Sequence, residues 1–343
     1  MQPAYFISLI FTILLTPLIK KFSFSFNLLE KPDSRRRHTK PTARLGGIAI
    51  FISFLITCLI LSNFPNYINE TQFFINQQKE IYVFFIGFIT YFLIGLIDDL
   101  FRLSPWPRLA GQSIIAAITW FLGLRIENYD FFISGSLGHL ESLFLTIFWI
   151  MAVTNAINWL DGLDGLASGV SSISFVGIAL IATYNNNLEV AIISAILAGS
   201  CAGFLNENAY PAKIFMGDSG SFLIGFSLAT LTLLGFANAS NNINFIPIFI
   251  ILLIPILDMN LVIIRRLINQ KSPFFADRTH LHYKLLDLGF SQRQIFLIYF
   301  FTTNVLLMGY LIFAKISFSY NLIFITIFLN LFFLVKRNIK FIK

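Results

Sequence analysis

Charge is scarce in this chain. Asp, Glu, Lys and Arg make up 12% of its 343 residues, about half the share found in soluble domains. With 57% of the residues apolar and 41 of them Phe, too little polar surface remains for a water-borne globule, and that class is excluded. Cysteine is scarcer still. Cys58 and Cys201 both fall inside apolar runs, which argues against a disulfide framework or a zinc site and says little about redox compartment. No internal repeat, coiled coil or separate soluble domain is visible. The net charge of +7 does not mark a nucleic-acid binder, because basic and aromatic residues do not interleave as a binding groove requires. No nucleic-acid partner is expected. The amino-terminal apolar run 3–19 is followed, not preceded, by Lys20 and Lys21 and has no small-residue cleavage site. It is expected to stay as an uncleaved first span with its amino end outside.

Long apolar runs are what the chain does have. Eleven of them lie near 3–19, 45–62, 81–97, 108–124, 142–158, 169–184, 188–205, 219–236, 245–263, 294–313 and 318–335, several shorter than the usual ~20 residues of a span. The expected fold is therefore an all-α integral membrane protein. It would be a bundle of about eleven transmembrane helices forming one polytopic domain over residues 1–343, with active-site loops on the cytoplasmic face. Placing the amino end outside and the carboxyl end inside leaves 21 of the 24 Lys and Arg residues on the inner side, all but Lys79, Arg125 and Lys315. Such asymmetry is the positive-inside pattern of topology. Two inner loops are long and basic: 20–44, with Arg35-Arg36-Arg37-His38, and 265–293.

Against this background five carboxylates stand out. Asp98, Asp99, Asp161, Asp164 and Asp218 sit where apolar runs end, all on the same expected membrane face. Acidic groups at a bilayer edge are costly and usually hold a cation, a proton or a substrate. The adjacent Asp98 and Asp99 close the third run. They can bind a hard cation, or one can ionise while its neighbour is raised in pKa; a plain interfacial helix cap is the alternative. Arg102 and Arg108 nearby bind phosphate or simply mark the inner side. In Asn155-Ala156-Ile157-Asn158-Trp159-Leu160-Asp161-Gly162-Leu163-Asp164-Gly165, helical spacing puts Asn155, Asn158 and Asp161 along one face. Amide and carboxylate oxygens suit magnesium, and the glycines let backbone approach a ligand. A calcium loop is not indicated, for want of a terminal bidentate Glu. A mere polar turn between spans would not need such a density of Asn, Asp and Gly.

Two further segments follow. In Phe215-Met216-Gly217-Asp218-Ser219-Gly220, Asp218 opens the eighth run, where free backbone donors suit phosphate and the carboxylate suits magnesium; the competing reading is a helix cap. Phe215 is either packing or a base-stacking platform. In Asp277-Arg278-Thr279-His280-Leu281-His282-Tyr283, two histidines alone make a weak zinc signal. Arg278, His280 and His282 read better as a clamp on a diphosphate, the bland alternative being a basic loop on lipid headgroups. Asp258, inside the ninth run, is expected to pair with Arg265 or Arg266.

Together these segments resemble the polyprenyl-phosphate N-acetylhexosamine-1-phosphate transferase superfamily, glycosyltransferase family 4. The resemblance runs in order from His38-Thr39-Lys40-Pro41-Thr42 and Gly46-Gly47 to Asp277–Gly289, most of the chain. Within the superfamily it is nearest the bacterial undecaprenyl-phosphate GlcNAc-1-phosphate transferases that begin O-antigen, enterobacterial common antigen or wall teichoic acid synthesis. The resemblance implies ten or eleven spans, Mg2+ or Mn2+ as cofactor, UDP-N-acetylhexosamine and undecaprenyl phosphate as substrates, and UMP as product. It also implies a bacterial inner membrane and a homodimer among the possible assemblies. Asp218 and Asn158 match the metal site, and Asp98 and Asp99 the essential catalytic pair. Asp161 and Asp164 match nucleotide-sugar contacts, with Asp164 near the uracil, Phe215 stacked on that ring and Arg108 on the diphosphate; Asn155, on the same helical face, is expected to bind substrate with them. Relatives often carry His-x-His-His where this chain has His280-Leu281-His282-Tyr283, which leaves UDP-GalNAc or a 6-deoxy sugar as alternatives to UDP-GlcNAc. The peptidoglycan branch's long histidine cluster is absent. The rivals from other classes are a proton- or cation-coupled transporter, which would place its charges near the midplane, and a non-catalytic lipid-binding scaffold.

Overall fold

In the computed structural model of the protein, the described residues are 1–30, 41–63, 78–130, 134–236, 242–272 and 279–316. The expected last span at 318–335, the basic cluster Arg35–His38 and Arg278 lie outside them. The described chain is helical almost throughout: α1 (Gln2–Ser25), α2 (Gly46–Ser62), α3 (Gln78–Phe101), α4 (Pro105–Phe121), α5 (His139–Leu160), α6 (Leu166–Tyr184), α7 (Leu188–Asn208), α8 (Gly217–Gly235), α9 (Phe245–Ile251), α10 (Leu253–Ile268), α11 (Leu281–Asp287) and α12 (Gln292–Phe313). Seven of these are long and apolar enough to cross a membrane, and the pair α9–α10 makes an eighth if counted as one span.

The expected continuous span at 245–263 is a correction. The chain breaks after Ile251 and bends by 77° before α10. Pro255 is the physical reason: its ring excludes the carbonyl of residue 251, four positions back, and it has no N–H to donate.

Burial sorts the helices into an inner and an outer layer. The most apolar stretches of α6, α7 and α8 are 94%, 89% and 83% buried, against 33% for α1 and 44% for α3, α5 and α12. The outer helices turn Ile10, Leu14 and Leu18 of α1, Phe144 and Phe148 of α5 and Val305 and Ile312 of α12 outward. An apolar outer surface around a fully packed centre is what a bilayer, not water, permits. Several polar groups inside the bundle are satisfied by carbonyls within it. Thr12 and Thr16 donate to carbonyls one turn back, Ser53 of α2 donates to Ser8 O of α1 at 2.8 Å, and Trp149 Nε1 of α5 donates to Ala229 O of α8 at 3.0 Å.

Alternation of direction brings particular ends together. α1, α3, α5, α7 and α10 end on one face of the bundle, and α2, α4, α6, α8 and α12 begin there. At the opposite end Thr183 Oγ1 lies 3.0 Å from Met1 Sδ. A small sheet also caps that end, with strand order β4-β3-β5 over Ser134–Ser136, Asn128–Asp130 and Asn242–Asn244. At the first face β1 (Leu29–Glu30) pairs antiparallel with β2 (Thr42–Ala43), and Ala43 bridges Ile214. All five aspartates singled out from sequence lie on this face.

Candidate active site

The site is assembled from helix ends. Phe215 N donates to Ala43 O at 2.8 Å, and Gly46 N and Gly47 N donate to Phe215 O and Met216 O at 3.0 and 2.8 Å. These bonds lash the start of α2 to the segment entering α8. Gly217 makes that entry with φ of +76°, and a Cβ there would lie 2.4 Å from Arg44 O and 2.6 Å from Asp99 Oδ2, so only glycine fits.

A cavity of about 480 Å³ opens between these ends, within the usual range of small-molecule sites. Among the described residues five carboxylates line it, those of Glu30, Asp98, Asp161, Asp164 and Asp218, against three guanidinium groups, those of Arg44, Arg102 and Arg108. Asn158, Phe215 and Tyr283 complete the part relevant to chemistry. Asp218 is the hub: Asn158 Nδ2 donates to its Oδ1 at 2.7 Å, and Arg44 Nη2 donates to its Oδ2. Asp98 accepts from Leu103 N at 2.8 Å and from Arg108 Nη1 at 3.1 Å, and the Arg108 guanidinium lies 5.7 Å over the Phe222 ring. Asp164 accepts from Ala212 N at 2.8 Å, tying the acidic turn to the loop before Phe215.

Several expected site residues are placed behind the wall. The Asp99 carboxylate is 0% exposed and accepts from Asp218 N at 2.8 Å, Ser219 N at 2.9 Å and Arg44 Nε at 2.9 Å. It caps the first turn of α8 with a charge of the favourable sign. Asn155 lies one turn deeper than Asn158 and donates to Gln112 Oε1 and Met151 O at 2.9 and 2.8 Å. His280 and His282 sit outside the cavity lining, and Asp258 meets them: His280 Nδ1 is 2.9 Å from Asp258 Oδ2.

Arg44 carries no mark of its own in the sequence, where it is one positive charge among many in a basic loop. Its place as the last charge before a 17-residue apolar helix, two residues ahead of Gly46-Gly47, is the signal that could have found it. Burial disfavours its charge, but Asp218, Asp99, Glu30 and Asp98 outweigh that and hold the guanidinium above its ordinary pKa. Glu30, 3.2 Å from Arg44, had no sequence signal at all. Asp161 is pushed well above the carboxylate range by burial and by the charges of Asp218, Asp99 and Asp164, with Arg44 opposing. Among the described residues the lining carboxylates outnumber the guanidinium groups, and their oxygens together with the Asn158 amide make a donor set that fits a hard divalent cation.

The sequence profile of glycosyl transferase family 4 matches residues 81–236, which carry Asp98, Asp99, the Asn155–Asp164 segment and Asp218. A probable undecaprenyl-phosphate N-acetylglucosaminyl 1-phosphate transferase of Bacillus subtilis (strain 168) is 32% identical over 303 residues, covering 86% of this chain and 80% of the relative. The chain belongs to glycosyl transferase family 4. A decaprenyl-phosphate N-acetylglucosaminephosphotransferase of Mycolicibacterium smegmatis is 32% identical over 88% of this chain and 79% of its own length. An undecaprenyl-phosphate alpha-N-acetylglucosaminyl 1-phosphate transferase of Escherichia coli (strain K12) is 29% identical over 84% and 77%. This family member is thus a multi-pass membrane protein whose acidic cavity lies at one end of the bundle.

Proposed function

We propose that the protein transfers N-acetylglucosamine-1-phosphate from UDP-GlcNAc to undecaprenyl phosphate and releases UMP, at the cytoplasmic face of a bacterial inner membrane. The observation that carries this reading is the meeting of Asp98, Asn158, Asp161, Asp164 and Asp218 with Arg108 and Phe215 around one cavity, in a chain of this family. A lipid phosphate oxygen attacks the β-phosphorus. The bond from that phosphorus to the oxygen bridging the α-phosphate breaks, and the bridging oxygen leaves with UMP. Asp218 and Asn158 would hold magnesium, which would supply charge neutralisation at the diphosphate.

The chain's own residues do the positioning. Phe215 stacks the uracil and Asp164 borders it. Arg108, aimed by Asp98 at 3.1 Å, takes phosphate oxygens. A phosphate monoester is already largely ionised near neutral pH, so Asp98 acts by orienting Arg108 rather than by removing a proton. Asp99 acts one step back, fixing Asp218 through the first turn of α8. Clustering of the acids at one end, not at mid-bundle, disfavours the transporter.

Tyr283 on the cavity wall supports a second reading in which another UDP-N-acetylhexosamine is the donor. The test uses full-length protein in detergent with undecaprenyl phosphate, magnesium and labelled UDP-GlcNAc or UDP-GalNAc in parallel. Labelled lipid and UMP should appear in equal amounts from UDP-GlcNAc, and Asp218→Ala should abolish both. Preference for UDP-GalNAc would select the second reading, and no transfer from either sugar would refute the proposal.

A further inference from the structure

Away from the cavity, α10, the start of α11 and the Gly162 turn enclose a second group of ligating side chains. We infer that Asp258, His280 and His282 form another metal site, suited to a borderline transition ion of the zinc class. All three are buried, and one ligand atom from each lies within 4.8 Å of the others. His280 Nδ1 is 2.9 Å and His282 Nδ1 is 3.8 Å from Asp258 Oδ2. A tetrahedral ion with bonds of about 2.0–2.1 Å separates its ligand atoms by about 3.3 Å, between those two distances. Small side-chain rotations therefore reach coordination. Two imidazoles with one carboxylate leave a fourth position open and prefer zinc-like ions to magnesium, which favours all-oxygen sites. The sequence offered only the two histidines; Asp258, 22 residues before His280, is the donor that folding adds.

A hydrogen bond between His280 and Asp258 accounts for one ring alone. His282 is 0% exposed, and among the described residues neither of its ring nitrogens has a hydrogen-bond partner. A fully buried imidazole with both nitrogens orphaned calls for an occupant. The carboxylate is meanwhile aimed by Leu281 N, which donates to Asp258 Oδ1 at 2.6 Å, the kind of support that orients metal ligands. The consequence reaches the cavity. His282 Nε2 lies 2.7 Å from where a Cβ on Gly162 would sit, and Tyr283 is on the cavity wall. An ion here staples α10 to the segment that shapes the acidic turn. It shares no ligand with the Asp218–Asn158 pair.

The test is metal content. Full-length protein in detergent is stripped with chelator, reloaded with zinc alone, gel-filtered and analysed by elemental mass spectrometry. About one zinc per chain should be retained, unchanged in Asp218→Asn and largely lost in Asp258→Asn and His282→Gln. Cobalt loading of the unmutated protein should give the visible absorption of a tetrahedral site, which keeps the test decisive if a variant fails to fold. Zinc absent from the unmutated protein, zinc retained in both ligand variants, zinc lost in Asp218→Asn, or no cobalt spectrum would each overturn the inference.

Discussion

A single methyl group at Gly95 probes how closely α3 and α8 must approach for the site to exist. In Gly95→Ala the new Cβ would sit 2.3 Å from Asp218 O, 2.5 Å from Asp218 C and 2.5 Å from Ser219 Cα. Carbon contacts are comfortable from about 3.5 Å, so the two helices must part by roughly 1 Å. Backbone lies on the far side, and no flexible side chain can yield. The same displacement acts on Asp99, whose bonds to Asp218 N and Ser219 N are 2.8 and 2.9 Å; adding roughly 1 Å breaks both. Overpacking costs about 1–3 kcal/mol, and each charge-assisted bond contributes about 1.5–3 kcal/mol. Partial relaxation leaves a net loss of about 3 kcal/mol. Misplacing Asp218 by about 1 Å should cut transfer about 100-fold. Both are measured on full-length protein, by the apparent midpoint of thermal unfolding and by release of UMP. Gly309→Ala is the control. It stands in the last turns of α12, and no described residue lies within 4 Å of where its new methyl group would be, so it should leave activity unchanged and stabilise by about 0.4–1 kcal/mol. Transfer within about twofold of the unmutated protein in Gly95→Ala, with an unchanged midpoint, would show that this contact does not set the site.

Three other outcomes follow from the geometry. Arg44→Ala leaves the buried Asp99 carboxylate without its counter-charge and should destabilise by about 3 kcal/mol, with Arg44→Lys recovering only part because it lacks the planar fork; an unchanged thermal midpoint in the alanine variant would contradict this. Folding raises the Asp161 pKa, so its ionisation weakens the fold as pH rises above the carboxylate range. Asp161→Asn, which cannot ionise, should therefore raise the midpoint in magnesium-free buffer, increasingly with pH, while transfer falls. A lower midpoint than the unmutated protein at pH 8 would reverse that sign. Phe215→Ala should raise KM for the UDP-sugar about tenfold, in line with ~1–3 kcal/mol for base stacking, and Phe215→Trp should stay close to normal; equal KM values in all three would remove Phe215 from the nucleotide site.

Composition and run length sufficed for the membrane class, and the positions of the aspartates sufficed for their common face. Both are one-dimensional properties. A bilayer demands long apolar stretches, and each acid stands at the end of one, so counting crossings places it. Family membership was legible for a related reason: glycines, amides and acids at set spacings survive as motifs. The break at Pro255 was legible in principle as well, because Pro acts on the residue four positions back.

Side-chain partners were not legible, because they lie far apart along the chain. Asp98 and Asp99 are indistinguishable neighbours in sequence, yet helical geometry turns one toward the cavity and the other onto α8. Arg44 meets Asp218 across 174 positions, and only the packing of α2 against α8 tells it from the other loop cations. Asn155, Asn158 and Asp161 share one helical face as spacing requires, but the depth of the cavity mouth admits two and leaves Asn155 with Gln112. Loop charge pointed His282 at a ligand's phosphates; the packing of α10 buries it beside Asp258. Periodicity records whether a position meets lipid, water or protein, while which atom of protein it meets depends on how separate helices come together.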